Sequence, residues 1–174
     1  MGIAVKDFGS AALVYNNTLV NNAIGISCYE KNLGSGSGMA RVHNTIVADS
    51  KISSLIERNA GEILVEYSLS NTDLLSGVGN LYGDPALANP GLLNFELLPG
   101  SPCINSGSPD SPLDGDGSRA DMGAYFVSSW PETQQDLIIN EFYSNSSLED
   151  PQDWIEIYNK GKSGVDLSGW YIMD

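Results

Sequence analysis

Residues 13–20 read LVYNNTLV, residues 40–47 read ARVHNTIV, and residues 63–70 read ILVEYSLS. These three similar stretches decide the fold. When Asn17, Asn44 and Tyr67 are taken as equivalent, the copies follow one another at intervals of 27 and 23 residues (44 − 17 and 67 − 44). Short β-type stretches that recur at such an interval predict an array of stacked coils and not a globule with one central core.

In this alignment apolar residues alternate with mostly polar ones, which predicts strands with one face toward a core and one toward solvent. The inward positions are Leu13/Ala40/Ile63, Tyr15/Val42/Val65 and Leu19/Ile46/Leu69. Asn17 and Asn44 also fall on the inward side, where stacked amides can hydrogen-bond one another and the turn backbone. Ordinary turn residues are the alternative interpretation. Because Tyr67 takes the third position, we expect this asparagine ladder to end there.

A further apolar stretch precedes each copy and predicts a second strand in each coil; these stretches are residues 2–5, 24–28 and 53–56. Residues 29–38 are rich in Gly and Ser and predict a loop. No segment shows the apolar stripe of an amphipathic helix. The sequence therefore predicts an all-β protein.

A more specific pattern follows the repeats: residues 80–87 (NLYGDPAL), 95–107 (FELLPGSPCINSG) and 114–125 (DGDGSRADMGAY). With the repeats, it resembles the closing part of secreted bacterial proteins of the pectate-lyase-like (pectin lyase-like) family. The resemblance implies a right-handed parallel β-helix over residues 1–127. Its last coils would occupy residues 1–76 and its terminal cap residues 77–127.

After a polar linker at 128–136, strand patterns return in residues 137–143, 154–159 and 165–173. They are similar to the opening of a lamin tail domain, an immunoglobulin-like β-sandwich. The residues that match are Asn140, Glu141, Trp154, Glu156, Asn159, Leu167, Gly169 and Trp170. About seven strands close such a sandwich, so residues 137–174 are expected to form an incomplete one. With Met1 already inside a coil, the sequence is interpreted as a fragment of a longer protein.

The formal net charge is −14, with 8 Lys and Arg against 22 Asp and Glu. This balance argues against nucleic-acid and anionic-membrane partners. No apolar stretch approaches the roughly 18 residues of a membrane span. Acidity and the resemblance together predict an extracellular or cell-surface location. Cys28 and Cys103 are predicted to be buried packing residues and not a redox pair.

His43 is the only histidine, which excludes a metal site built from several histidines. It is predicted to point outward beside Arg41, on a face that also carries Glu66. In pectate-lyase-like enzymes such an outer face binds sugars, often through Ca²⁺ with a basic residue as proton acceptor. Outward polar side chains are more often simply solvated, so no catalytic residue and no bound organic cofactor are assigned.

Asp114, Asp116 and Asp121 are candidate Ca²⁺ ligands, because closely spaced carboxylates can surround a hard cation. Asp110 could add oxygens, but the glutamate at the twelfth position of an EF-hand loop is missing. The favoured alternative is an ion pair of Arg119 with Asp121 or Asp114 that holds the cap loop. Weaker cation or ligand candidates lie in the second module: Glu141, Glu156, Asn159, Glu149, Asp150 and Asp153.

These features predict a non-catalytic part of a secreted or cell-surface protein, with a structural, adhesive or polysaccharide-binding role. Its partners would be a polysaccharide or cell-surface component and the adjoining domains of a longer chain. The alternative is the C-terminal part of a polysaccharide lyase or glycoside hydrolase whose active coils lie upstream of residue 1.

Overall fold

The computed structural model describes residues 1–128, 137–143, 154–168 and 170. The chain divides into two compact units, residues 1–128 and residues 129–174. Apart from one short 3₁₀ turn, the regular structure of the described residues is β-strand. The predicted all-β class is therefore confirmed.

Ten short strands build the main body of the first unit. They are β1 (Ile3–Lys6), β2 (Ala11–Tyr15), β3 (Thr18–Val20), β4 (Ile24–Tyr29), β5 (Met39–His43), β6 (Ile46–Ala48), β7 (Ser53–Glu57), β8 (Glu62–Glu66), β9 (Leu69–Ser70) and β10 (Leu81–Tyr82). Each of the first six pairs in parallel with the strand three places later. The chain thus passes repeatedly through a first sheet (β1-β4-β7), a second sheet (β2-β5-β8) and a third sheet (β3-β6-β9-β10).

The strand register corrects the first interval of the sequence alignment. Ala12 pairs with Ala40 and Val14 with Val42, so the offset is 28 residues and not 27. Leu13, predicted to face inward, is 68% exposed, whereas Val14 is 4% exposed. A slip of one residue exchanges the two faces of a strand. The second interval of 23 residues is confirmed, because Ala40 pairs with Ile63 and Val42 with Val65.

The turns between the second and third sheets explain the repeated asparagine. Asn16, Asn44 and Tyr67 all have a left-handed backbone, with φ of 52°, 48° and 47°. Asparagine tolerates this conformation better than other non-glycine residues. The equivalent of Asn44 in the first copy is therefore Asn16 and not Asn17. Tyr67 occupies the same position in the third copy, as the alignment predicted.

The column that follows these turns is mixed and is not a ladder of asparagines. In each copy the side chain after the left-handed residue donates a hydrogen bond to the carbonyl two residues earlier. The three bonds are Asn17 Nδ2 to Tyr15 O (2.7 Å), Thr45 Oγ1 to His43 O (2.9 Å) and Ser68 Oγ to Glu66 O (2.9 Å). The Thr45 N–H also donates to Ser68 Oγ, at 3.1 Å. This column satisfies polar groups at a corner that is buried in the second and third copies, where Thr45 and Ser68 are 0% exposed.

An apolar interior lies between the three sheets. Its buried members are Val5, Val14, Ile26, Cys28, Ala40, Val42, Val47, Ile63 and Val65. Because successive strand residues point to opposite faces, Val47 faces this interior while its neighbours Ile46 and Ala48 face outward. The third sheet thus presents an apolar outer face that requires a cover.

The C-terminal segment of the first unit covers that outer face. It contains a hairpin of β11 (Leu87–Asn89) and β12 (Asn94–Leu97), joined by the 3₁₀ turn Pro90–Leu92. Leu97, Cys103 and Met122 pack with Ile46, Ala48 and Leu69 in a second buried cluster. The segment reaches back to the first copy, where the Ala124 N–H donates to Thr18 Oγ1 at 3.0 Å. The predicted cap therefore runs along the side of the array, beside all three copies.

In the second unit, β13 (Leu137–Tyr143) and β14 (Trp154–Asn159) form an antiparallel pair, irregular between Ile139 and Glu141. Trp154 and Trp170 are each 44% exposed. Other exposed apolar side chains of this pair are Ile138, Ile139, Phe142, Ile155 and Ile157. The described residues of this unit thus show a β-hairpin without a buried core.

Candidate functional site

The outer face of the second sheet carries an aromatic and acidic column. The register places Tyr15 beside His43 and His43 beside Glu66. The Tyr15 and His43 rings meet edge to face, with 5.1 Å between centroids and 74° between planes. His43 Nδ1 lies 3.8 Å from Glu66 Oε2. The outward positions of His43 and Glu66 are confirmed, but Tyr15, predicted to face inward, is their neighbour on this surface.

A wall from the C-terminal segment turns this column into a groove. Ser108, Asp110, Ser111 and Pro112 form one side of a cavity of about 380 Å³, opposite Tyr15, His43 and Glu66. Asn16, Asn44 and Tyr67 complete its lining. We call this cavity the His43 groove. Since its two sides come from distant parts of the chain, only the tertiary fold creates it.

Asn44 holds the wall in place. Its Oδ1 accepts the Ser108 N–H at 2.7 Å, and its Nδ2 donates to Ser111 Oγ at 2.9 Å. The Gly123 N–H donates to the Asn44 carbonyl at 2.8 Å. Gly107 permits the close approach, because a Cβ there would lie 2.7 Å from Ala120 O and 3.1 Å from Asn44 Oδ1. The buried Asn44 is thus a positioning residue for the groove.

Two carboxylates of the His43 groove keep their oxygens available. Within the described part of the chain, His43 is the only polar contact of the Glu66 carboxylate. Asp110 donates its N–H to Ser108 Oγ at 3.3 Å, but its carboxylate makes no hydrogen bond to a described residue. By contrast, Asn44, Ser108 and Ser111 bond to one another. The groove therefore presents free acceptors together with an aromatic ring.

Arg41 lies in a neighbouring hollow. It pairs with Leu13 and Leu64 across the sheet and lines a cavity of about 270 Å³ that shares His43 and Glu66 with the groove. The sequence placed Arg41 on the same outer face as His43, and the register agrees. The described residues show no ion pair between Arg41 and Glu66.

Asp114, Asp116 and Asp121 are engaged by the protein itself. Asp114 Oδ2 accepts the Asp121 N–H at 2.9 Å, and Asp116 Oδ1 accepts the Ser118 hydroxyl at 2.6 Å. The buried Asp121 carboxylate accepts the N–H groups of Asn105 at 2.6 Å and Val127 at 2.7 Å. Burial raises the pKa of Asp114, and the charges of Asp121 and Asp116 add to this effect against the Asp121 N–H bond.

No group of three or more His, Cys, Asp or Glu side chains among the described residues is placed to hold a metal ion. The Ca²⁺ role of Asp114, Asp116 and Asp121 stays a prediction. The expected ion pair of Arg119 with Asp121 or Asp114 is not formed. Arg119 Nε donates instead to Gly107 O at 2.7 Å, and its Cζ lies 5.8 Å from the centre of the Tyr67 ring.

Two of the candidate ligands of the second unit, Glu156 and Asn159, form hydrogen bonds within the unit. The Asn140 amide donates to the Glu156 carboxylate. Asn159 closes the following turn, since its Oδ1 accepts the Gly161 N–H at 2.8 Å and its Nδ2 donates to Ser163 O at 2.7 Å. Glu149, Asp150, Asp153 and Gly169 lie outside the described residues, as do positions 129–136 of the predicted linker.

Both cysteines are buried free thiols. Burial raises the pKa of Cys28 to about 11 and that of Cys103 to about 12. Thiols with such pKa values remain protonated at neutral pH and are poor nucleophiles. Their predicted role as small packing residues is confirmed, because each belongs to a buried cluster.

A family model for the lamin tail domain matches residues 131–174. The resemblance predicted for residues 137–174 is thereby confirmed. No curated protein and no solved structure matches the chain. None of the described residues belongs to a helix that is long and apolar enough to cross a membrane.

Proposed function

We propose that this chain is a non-catalytic, polysaccharide-binding part of a secreted or cell-surface protein. In this proposal residues 1–127 form a right-handed parallel β-helix of the pectate-lyase-like kind, and the lamin-tail segment is an immunoglobulin-like module joined to it. The three parallel sheets and the sequence pattern of the C-terminal segment support the β-helix. The acidic composition and the resemblance support the location.

The His43 groove carries the functional part of the proposal. A sugar ring has apolar C–H faces that pack on aromatic rings and a rim of hydroxyls that need hydrogen-bond partners. Tyr15 is 49% exposed and supplies such a ring. Glu66 and Asp110 supply acceptors beside it. A groove with an aromatic surface and a few convergent polar groups is typical of a ligand site.

Exposure of the groove favours binding over cleavage. Glycoside hydrolysis requires a carboxylic acid that retains its proton near neutral pH, which is achieved by burial or by a closely placed second charge. The Glu66 side chain is 46% exposed and therefore well hydrated. Its neighbour His43 is 28% exposed and held at 3.8 Å, too far for a direct hydrogen bond. This geometry supports binding without turnover.

Titration calorimetry with the full chain and a panel of soluble oligosaccharides tests the proposal. We expect saturable binding that Tyr15→Ala weakens by at least about tenfold, the loss typical of a central aromatic anchor. Tyr82→Ala is the matched control, because Tyr82 is also exposed (59%) but lies outside the groove.

Two results would contradict the proposal. Binding of none of the oligosaccharides would remove the carbohydrate role. Release of reducing ends or unsaturated products, abolished by Glu66→Gln, would show catalysis and favour an enzyme.

A further inference from the structure

The carboxylate and imidazole side chains that line the His43 groove are Glu66, Asp110 and His43. No lysine or arginine is among the described residues of its lining. Arg119 does not line the groove; its Cζ lies 5.8 Å from the centre of the Tyr67 ring, and its Nε donates to the Gly107 carbonyl. Arg41 lines the neighbouring hollow and not the groove. With both carboxylates ionised, the local charge is therefore negative whether or not His43 carries a proton.

The hydrogen-bonding capacity of the groove has the same bias. Asn44 is satisfied by the Ser108 N–H and by the Ser111 hydroxyl, which accepts from it, and the Ser108 hydroxyl accepts from the Asp110 N–H, so these serine hydroxyls act as acceptors among the described residues. Glu66 and Asp110 have no hydrogen-bond donor among the described residues. Ionised carboxylates act as acceptors only. A ligand that donates hydrogen bonds therefore fits these two carboxylates, and a cationic donor would form the stronger, charge-assisted kind.

The aromatic side of the groove independently favours a cationic ligand. The exposed Tyr15 ring meets the His43 ring in a T-shaped contact, with an interplanar angle of 74°. An ammonium group over a tyrosine face is attracted by the negative face of the ring. The net charge of −14 adds a long-range field that draws cations and repels polyanions.

We propose that the His43 groove binds a glycan that carries protonated amines, that is, a polymer of de-N-acetylated hexosamine. Glu66 and Asp110 accept hydrogen bonds from the ammonium groups, and Tyr15 packs against a sugar face. Polyuronates are excluded by repulsion from the same two carboxylates. This inference rests on the proposed function, since it names the ligand class of the same site.

Calorimetric comparison of three oligosaccharides of equal length tests this inference: glucosamine oligomers, N-acetylglucosamine oligomers and galacturonate oligomers. The full chain is used at mildly acidic pH, where the amines of the glucosamine oligomer are protonated. We expect the glucosamine oligomer to bind at least about tenfold more tightly than the N-acetylated one, and the galacturonate oligomer not to bind. Added salt should weaken the glucosamine complex.

Variants that replace one carboxylate with a neutral amide test which residues cause the preference for glucosamine. Glu66→Gln and Asp110→Asn should each reduce the preference for the glucosamine oligomer by about tenfold while leaving thermal stability unchanged. Glu62→Gln is the matched control, because Glu62 is exposed on the same strand but does not line the groove. It should retain the full preference.

The outcomes separate this inference from the proposed function. Equal, Tyr15-dependent binding of the glucosamine and N-acetylglucosamine oligomers would overturn the amine preference and leave a carbohydrate site. Tighter binding of the galacturonate oligomer would overturn it as well. A glucosamine preference that survives in Glu66→Gln and Asp110→Asn would place the binding elsewhere. Binding of no oligosaccharide would overturn both proposals.

Discussion

The two units use the same alternating strand pattern and reach opposite degrees of burial. Val14 and Val42 on the second sheet are 4% and 0% exposed, whereas Ile139 and Phe142 on the hairpin are 63% and 73% exposed. In the first unit the alternate residues meet two other sheets and a covering segment. In the second, the described strands pair only with each other. Alternation specifies which residues share a face, and packing against another layer decides whether that face becomes a core.

The strongest test of this difference in burial is to place a charged residue on each face of the second sheet in turn. Val42→Asp should lower the free energy of unfolding of the first unit by about 4 kcal/mol or more, because it buries an unpaired carboxylate. Leu13→Asp, on the neighbouring strand, should cost less than about 1 kcal/mol, since Leu13 is 68% exposed. Urea unfolding followed by circular dichroism measures both. Equal costs would contradict the strand register.

A smaller effect is expected at the left-handed turns. Asn44→Ala should cost about 3 kcal/mol, because it removes both side-chain bonds to the wall and places alanine at a φ of 48°. Asn16→Ala changes only the turn and should cost about 1 kcal/mol. The same unfolding assay compares them. A larger loss for Asn16→Ala would mean that Asn44 does not hold the wall.

The smallest expected effect is an opposite pH response of one carboxylate in each unit. Burial raises the pKa of Asp114 above its ordinary 3.8, whereas the Ser168 hydroxyl and N–H bonds lower that of the exposed Asp166. The stabilising contribution of Asp114 is present below its unfolded pKa and is lost as pH rises through its folded pKa. That of Asp166 is present above its unfolded pKa and is lost as pH falls through its folded pKa.

Carboxyl NMR titration measures the two values directly. Asp114 should titrate above 3.8 and Asp166 below it. As the pH rises through the range in which Asp114 titrates and on toward neutrality, the free energy of unfolding of Asp114→Asn should increase relative to wild type. That of Asp166→Asn should decrease relative to wild type as the pH rises through the range in which Asp166 titrates. Titration of both groups on the same side of 3.8 would contradict the contrast.

Much of the fold could be predicted from local pattern. The all-β class, the recurrent strands, the second interval and the lamin-tail segment follow from alternation and motif. The first interval could not be settled, because Ala12, Leu13, Val14 and Tyr15 are all apolar and either face could be the inner one. The doubled asparagine after them allowed two alignments. Aligning Asn16, and not Asn17, with Asn44 places Tyr15 on the outer face of the strand, where it lines the groove.

Period-2 patterning and residue type act over a few neighbours, so the amino-acid sequence predicts short, stacked β-strands followed by a distinct C-terminal module. The three-dimensional fold was needed to show that residues 97–127 cover the third sheet from the side. It also decided that Asn44 holds a wall 64 and 67 residues away, at Ser108 and Ser111. Such contacts depend on which exposed apolar face finds a cover of matching shape. The alternation of apolar and polar residues along a strand does not specify which segment covers that face. The His43 groove depends on this covering segment.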